Sequence, residues 1–270
     1  MMRRALFALS WLVLGGLATS TVAKDKTSTD FRLIRAGDPI QLRPDRAYIL
    51  LRIDTSLSRF AANLLRVPDR GEIDAYETAK RAAHQKAGTK AGPIDTFAFD
   101  YDGRPNLYEL PSAKWFAQSG KIATVLAEVT PGEYVFYGEG AGGILYECMC
   151  LGTVGFAAPA GQVTHLGTMF VAYAAKPSPV PELAGEVDLG PSAMMDYALF
   201  AVALRPWHSN DAAPDGLDAT KVMAARLNAV GPFLEPNALL INRLAPIPGV
   251  LAYRAGRVID VGSGRELTDN

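Results

Sequence analysis

Residues 122–137 read IATVLAEVTPGEYVFY, and this stretch decides the fold. Its first eight and last four residues are mostly aliphatic, β-branched or aromatic, which is typical of β-strands. Between them stand Pro131, which fixes one backbone dihedral, and Gly132, which readily adopts the next, so residues 130–133 predict a turn. The stretch therefore predicts two strands joined by a tight turn.

Short strand-like runs continue the pattern in both directions, and most are separated by turn residues rather than by helices. They cover residues 47–53, 96–101, 106–110, 144–156 and 162–169. The last two runs flank a turn at 159–161 (PAG) and predict a hairpin. Strands at this spacing favour an antiparallel β-sandwich over a parallel α/β sheet.

One helix is predicted among these strands, over residues 70–87. Asp69 and Glu72 have the spacing of a capping box, in which each side chain binds the backbone N–H of the other residue. Apolar residues then recur on one helical face, and Gly88 can end the helix.

A proline-rich segment at residues 176–181 (KPSPVP) predicts a stiff linker. Beyond it we expect strands over 197–204 and 250–259 and a helix over 218–227. The domain prediction is a β-sandwich over 24–175 and a C-terminal α+β segment over 182–270, which either folds alone or completes the first sheet. The predicted fold class is mainly β: an antiparallel β-sandwich with one inserted helix and this C-terminal α+β segment.

The start of the chain has the three-part layout of a signal peptide over residues 1–23. A basic start (MMRR) precedes a 14-residue apolar run at 5–18, and TVA at 21–23 predicts cleavage after Ala23. The apolar run is shorter than the roughly 20 residues that a membrane-spanning helix needs, and two glycines interrupt it. These features predict export to the periplasm or the medium, with no transmembrane span in the mature chain.

Composition excludes two classes of protein. The chain has 27 Lys+Arg against 28 Asp+Glu, and 49% of its residues are hydrophobic. Intrinsically disordered chains have lower hydrophobicity and higher net charge. The charge balance also gives no overall positive field for phosphates, so we expect no nucleic-acid partner.

The two cysteines of the chain, Cys148 and Cys150, are one residue apart. In an extended strand both thiols face the same side, with Cα atoms about 6.6 Å apart, which is near the upper limit for a disulfide. One interpretation is a soft-metal or redox site for copper or zinc, with His165 as a further ligand. The alternative is two small apolar side chains in a sheet, with no cofactor.

Residues 138–143 (GEGAGG) match the glycine pattern of dinucleotide-binding loops. That motif functions between a strand and a helix, and here strand-like residues follow, so we interpret the segment as a flexible hairpin loop. No spacing of nucleophile, base and acid typical of a hydrolase is present in the sequence, and no catalytic residue is predicted.

Two stretches resemble a known kind of domain: residues 129–143, with a proline–glycine turn into a tyrosine strand, and residues 154–167, with an aromatic strand, an alanine–glycine turn and a strand ending in Leu166-Gly167. The pattern resembles small β-sandwich domains of unknown function in exported bacterial proteins. The resemblance covers about 40 residues of turn and core positions. It implies a fold and no activity.

These observations favour a non-enzymatic exported protein of the cell envelope that binds an envelope protein or a small ligand, or supports the envelope. One alternative is a periplasmic soft-metal-binding or redox-sensitive protein that uses Cys148 and Cys150. Another is a hydrolase whose site forms only in three dimensions.

Overall fold

Two β-sheets pack face to face and enclose the main hydrophobic core. The computed structural model describes residues 30–141, 146–148, 151–173, 178–184, 200–208, 216–233, 244–254 and 257–267. The predicted mainly β sandwich with one inserted helix is confirmed. The predicted signal peptide at 1–23 lies outside the described residues.

The first sheet has seven strands. Its central path runs β1-β6-β2-β10-β11, while β5 pairs with β6 and β12 pairs with β10. The strands are β1 (Phe31–Ile34), β2 (Ala47–Asp54), β5 (Ala117–Ser119), β6 (Ile122–Val129), β10 (Val163–Tyr173), β11 (Phe200–Arg205) and β12 (Val222–Ala224). Strand β2 pairs antiparallel with β6 but parallel with β10.

The second sheet has six strands in the order β13-β9-β7-β3-β4, with β8 paired to β7. They are β3 (Phe60–Arg66), β4 (Leu107–Pro111), β7 (Gly132–Ala141), β8 (Tyr146–Cys148), β9 (Val154–Ala158) and β13 (Asn228–Ala229). A small third sheet near the C-terminus contains β14 (Leu251–Arg254), β15 (Arg257–Asp260) and β16 (Glu266–Leu267).

Both faces of β2 are buried. Ile49, Leu51 and Ile53 face the core between the sheets, while Tyr48 and Leu50 belong to a second cluster on the outer face. The segment at 35–46 and residues around Leu217 cover this outer face. A strand buried on both sides needs apolar residues at successive positions, which explains the continuous apolar run in its sequence.

The hairpin predicted from 144–156 and 162–169 is wrong, because β9 and β10 belong to different sheets. The turn between them crosses from one sheet to the other. Gly161 adopts a φ of 70° and donates its N–H to the carbonyl oxygen of Arg46. The backbone N–H of Tyr48 donates to the carbonyl oxygen of Gln162. These bonds place β10 alongside the start of β2, so the chain continues in the opposite sheet.

The single strand predicted over 250–259 is wrong, because β14 and β15 pair antiparallel there. Three further local predictions are also wrong. Residues 96–101 form no strand, because the rings at positions 97, 99 and 101 pack along the helix instead. Residues 218–227 form one 3₁₀ turn capped by Asp218, after which β12 pairs with the free edge of β10. Residues 138–141 of the expected loop belong to β7, where the Glu139 side chain is fully buried.

The predicted helix is confirmed as α1 (Arg70–Ala87), and its capping box between Asp69 and Glu72 is present. None of its residues is fully buried. Strands β11 and β12 pair with β10, and β13 pairs with β9, so the part of the chain after the proline-rich segment contributes to both large sheets. No helix among the described residues is long and apolar enough to cross a membrane.

Candidate functional site

The connection between the paired strands β3 and β4 is long and leaves the sheet. It contains α1, two 3₁₀ turns and an extended segment, and we call residues 67–106 the helical excursion. Its two ends are held together by the β3–β4 pairing and by a hydrogen bond of 2.7 Å from the Arg66 N–H to the Asn106 carbonyl oxygen. The chain thus leaves and re-enters the sheet at neighbouring positions.

A cleft of about 640 Å³ opens at the base of the helical excursion. Its walls come from the end of β3, the first turns of α1 and residues 101–106. Ligand sites of small molecules typically enclose 300–1,000 Å³ and combine apolar walls with a few polar groups. The polar and aromatic side chains that line this cleft are Arg66, Asp69, Glu72, Tyr76, Tyr101, Arg104 and Asn106.

A bidentate ion pair forms one side of the cleft. Arg66 donates from Nη1 and Nη2 to the two carboxylate oxygens of Glu72, at 2.8 and 2.6 Å. The Arg66 side chain is 4% exposed and that of Glu72 is 25% exposed. Glu72 also accepts the Asp69 N–H within the capping box, so one carboxylate fixes both β3 and the start of α1.

Arg104 extends this network to the N-terminal part of the described chain. Its Nε lies 3.2 Å from the Asp30 carboxylate, and its Nη1 lies 3.8 Å from Glu72. Asp30 in turn accepts a hydrogen bond from the Thr130 hydroxyl at the β6–β7 turn. The Arg104 side chain is 45% exposed, so part of its guanidinium faces solvent.

Five aromatic rings form and support the opposite wall of the cleft. We call them the aromatic row; they belong to Tyr76, His84, Phe97, Phe99 and Tyr101. The ring of Tyr76 meets Tyr101 edge to face at 5.2 Å and Phe99 at 5.5 Å, and Phe97 connects Phe99 to His84. Tyr76 and Tyr101 are 37% and 42% exposed. The aromatic row therefore holds two partly exposed tyrosine rings at the cleft.

The electrostatics of the cleft favour binding over proton transfer. Hydrogen bonds from Arg66 lower the pKa of Glu72 from 4.5 to about 2, and the same hydrogen bonds raise the pKa of Arg66. An efficient general base or acid has a pKa near the working pH. Glu72 stays ionised and Arg66 stays protonated over the physiological range, so the pair can position a ligand and is a poor proton carrier.

Glu128, a buried carboxylate outside the cleft, has a structural role. Arg32 binds it at 2.8 Å, and Arg46 and Arg43 lie within 3.4 and 3.8 Å of its other oxygen. Tyr48 donates to it at 3.4 Å. Arg43 and Arg46 belong to the segment that covers the outer face of the first sheet, so this cluster fastens that segment to β6.

Two of the three predicted metal ligands lie on different sheets. Cys148 ends β8 of the six-stranded sheet and pairs in register with Glu139, while His165 lies in β10 of the seven-stranded sheet. His165 is buried, stacks on Trp207 at 5.0 Å and accepts the Gly167 N–H at Nδ1. Cys150 lies outside the described residues, so the copper or zinc site stays a prediction.

Within the described residues, none of the three histidines lines the cleft. His84 contacts the Gly92 carbonyl oxygen and the Phe97 ring at the far end of α1. Sequence reasoning identified Glu72 only as a capping residue and did not find Arg66 or Arg104. The capping-box spacing was the one available signal, because it places an acidic side chain at the start of a helix that directly follows a strand.

Comparison with protein families, with curated proteins and with solved structures finds no match to this chain.

Proposed function

We propose that this protein is exported to the cell envelope and acts there as a non-enzymatic binding protein, with a small ligand in the cleft at the base of the helical excursion. The observation that carries the proposal is the construction of the cleft. Arg66, Glu72 and Arg104 are held by ion pairs before any ligand arrives, and the tyrosines of the cleft are supported by the other rings of the aromatic row. Such preorganisation reduces the entropy that binding costs.

The chemistry of the cleft supports binding rather than catalysis. The hydrogen bonds between Arg66 and Glu72 lower the pKa of Glu72 and raise that of Arg66, so this pair holds its charges at neutral pH. The hydrogen-bonding groups and rings of the cleft are those that orient a ligand in a small-molecule site. The signal-peptide layout of residues 1–23 supports the proposed location.

Export predicts the mass of the protein recovered from outside the cytoplasm. We expect the intact mass of the chain in the periplasm or the medium to match residues 24–270, because cleavage is predicted after Ala23. Mass spectrometry of fractionated cells measures this. Recovery of only the uncleaved chain, in the cytoplasm, would contradict the proposed location.

Ligand binding is tested by retention of small molecules from a cell-envelope digest. We expect the wild-type chain to retain a component in equilibrium dialysis that the double variant Tyr76→Ala/Tyr101→Ala does not retain, because both exposed rings of the cleft are removed. Leu57→Ala is the matched control, since Leu57 is an equally exposed apolar side chain outside the cleft.

Circular dichroism of all three proteins shows whether the variants keep the β-sandwich. If wild type and the folded double variant retain the same components to the same extent, the cleft is not the ligand site.

A further inference from the structure

We infer that the ligand of the cleft is an uncharged carbohydrate. This inference rests on the proposed function and adds the chemical class of the ligand. Three properties of the cleft lead to this class: the balance of its charges, the mixture of donors and acceptors on its walls, and the two exposed tyrosine rings.

The charges of the residues that line the cleft sum to zero. Arg66 and Arg104 stand against Asp69 and Glu72. Because these charges balance, neither an anionic nor a cationic ligand gains a net attraction that would offset the loss of its hydration. A ligand without net charge avoids this cost.

The groups left for a ligand include both donors and acceptors. Asn106 uses its backbone carbonyl oxygen for Arg66, while its half-buried side-chain amide binds no other described residue. Arg104 has ion-pair contacts through Nε and Nη1, which leaves Nη2 as a donor with no partner among the described residues. A sugar hydroxyl donates one hydrogen bond and accepts two, so it can match donors and acceptors of this kind.

Tyr76 and Tyr101 provide the apolar part of the site. A pyranose ring has a face of C–H groups, and the negative face of an aromatic ring attracts such weakly positive hydrogens. The rings of these two tyrosines stand edge to face, so together they present surface at two orientations. The packing of Tyr76 and Tyr101 against Phe99 limits the freedom that the tyrosines would otherwise lose on binding.

An extended peptide is less well matched to the cleft. Peptides that bind to sheets add a strand through free backbone groups at an edge. At the cleft the last backbone N–H of β3 is already used by Asn106, and β4 already occupies this edge of β3. The available groups are side chains, which suits a ligand that carries hydroxyl groups.

The test is an NMR titration of the isotope-labelled exported chain with three disaccharides. N,N′-diacetylchitobiose is uncharged, chitobiose is the same sugar with two ammonium groups, and digalacturonate carries two carboxylates. We expect saturable chemical-shift changes of the amides around the cleft with diacetylchitobiose. The two charged sugars should bind at least about tenfold more weakly, because the lining residues favour a ligand without net charge.

Variants separate ring stacking from general damage to the cleft. Tyr101→Ala should weaken diacetylchitobiose binding about tenfold, whereas Tyr101→Phe, which keeps the ring, should change it less than about threefold. Trp115→Ala is the control, since Trp115 is exposed to a similar degree outside the cleft, and it should bind as wild type does.

Several results overturn the carbohydrate assignment. They are no saturable shift with diacetylchitobiose, shifts that Tyr101→Ala leaves unchanged, and stronger binding of a charged disaccharide or of a blocked, uncharged tetrapeptide. A cleft that still retains a component of the envelope digest would then keep the proposed function with another ligand class. A cleft that retains nothing would end both proposals.

Discussion

Replacing Gly167 with alanine is expected to lower the free energy of unfolding by about 3 kcal/mol or more. Gly167 has a φ of 119°, a conformation that residues with a Cβ rarely adopt, and it lies at the irregularity in the pairing of β2 with β10. A Cβ atom built there overlaps the carbonyl oxygen of Arg205 and stands 2.8 Å from its carbonyl carbon. Because the obstacle is the backbone of β11, no side-chain rotation relieves it.

Urea denaturation measures the loss, with Gly37→Ala as the matched control. Gly37 also has a positive φ, of 85°, but nothing lies within 4 Å of a Cβ atom at that position. The control should therefore show only the backbone strain, about 1–2 kcal/mol. Equal destabilisation by the two substitutions would mean that β11 does not approach β10 as closely as the structure shows.

The second large effect concerns the cleft. Glu72→Gln should destabilise the protein by about 2 kcal/mol, less than a fully buried pair would lose because Glu72 is partly exposed. The substitution leaves the nearly buried guanidinium of Arg66 without its carboxylate and weakens the capping box. We expect hydrogen exchange to accelerate in α1 first, since none of its residues is fully buried to resist local opening.

The ion pair between Arg66 and Glu72 also predicts that the stability of the protein depends on pH. The pKa of Glu72 is lower in the folded protein, about 2, than its ordinary 4.5. The stabilisation from the carboxylate is therefore complete above pH 4.5 and is lost as the pH falls through about 2. Denaturation of the wild-type chain across this interval should show the loss, while Glu72→Gln should show a smaller dependence.

Glu77→Gln is the matched control for these measurements. Glu77 lies on the same helix and has no ion pair among the described residues. It should keep the stability, the exchange rates in α1 and the pH dependence of the wild-type chain. If Glu72→Gln behaves in the same way as this control, the ion pair with Arg66 does not fasten the helical excursion.

Local sequence signals predicted the elements whose environment is uniform. Strand β6 was predicted with its observed bounds, because almost all of its residues are buried, and α1 was predicted because its capping box needs only neighbouring residues. The strand predicted over 96–101 does not form. Rings on one side of an extended segment can pack on a helix as well as on a sheet, and the sequence does not distinguish these surfaces.

Pairings between distant parts of the chain account for the other differences. Residues 218–227 have helical propensity, yet β12 gains more by joining the free edge of β10, which no local pattern reveals. The cleft depends on the same kind of contact. Arg104 meets Asp30 and Glu72 only because β3 and β4 pair, so no spacing in the sequence indicates that these residues share a site.

The parallel partnership of β2 and β10 has a consequence for the order of folding. Tyr48 pairs with Val163, so one edge of β2, a strand buried on both faces, stays open until the chain has been synthesised well past its midpoint. Antiparallel pairing with β6 becomes available earlier, since it involves residues up to Val129. During this interval β2 presents unpaired backbone groups and apolar side chains, a combination that promotes association between chains. Synthesis of this protein thus passes through a stage at which a chaperone that holds extended apolar segments has a defined target.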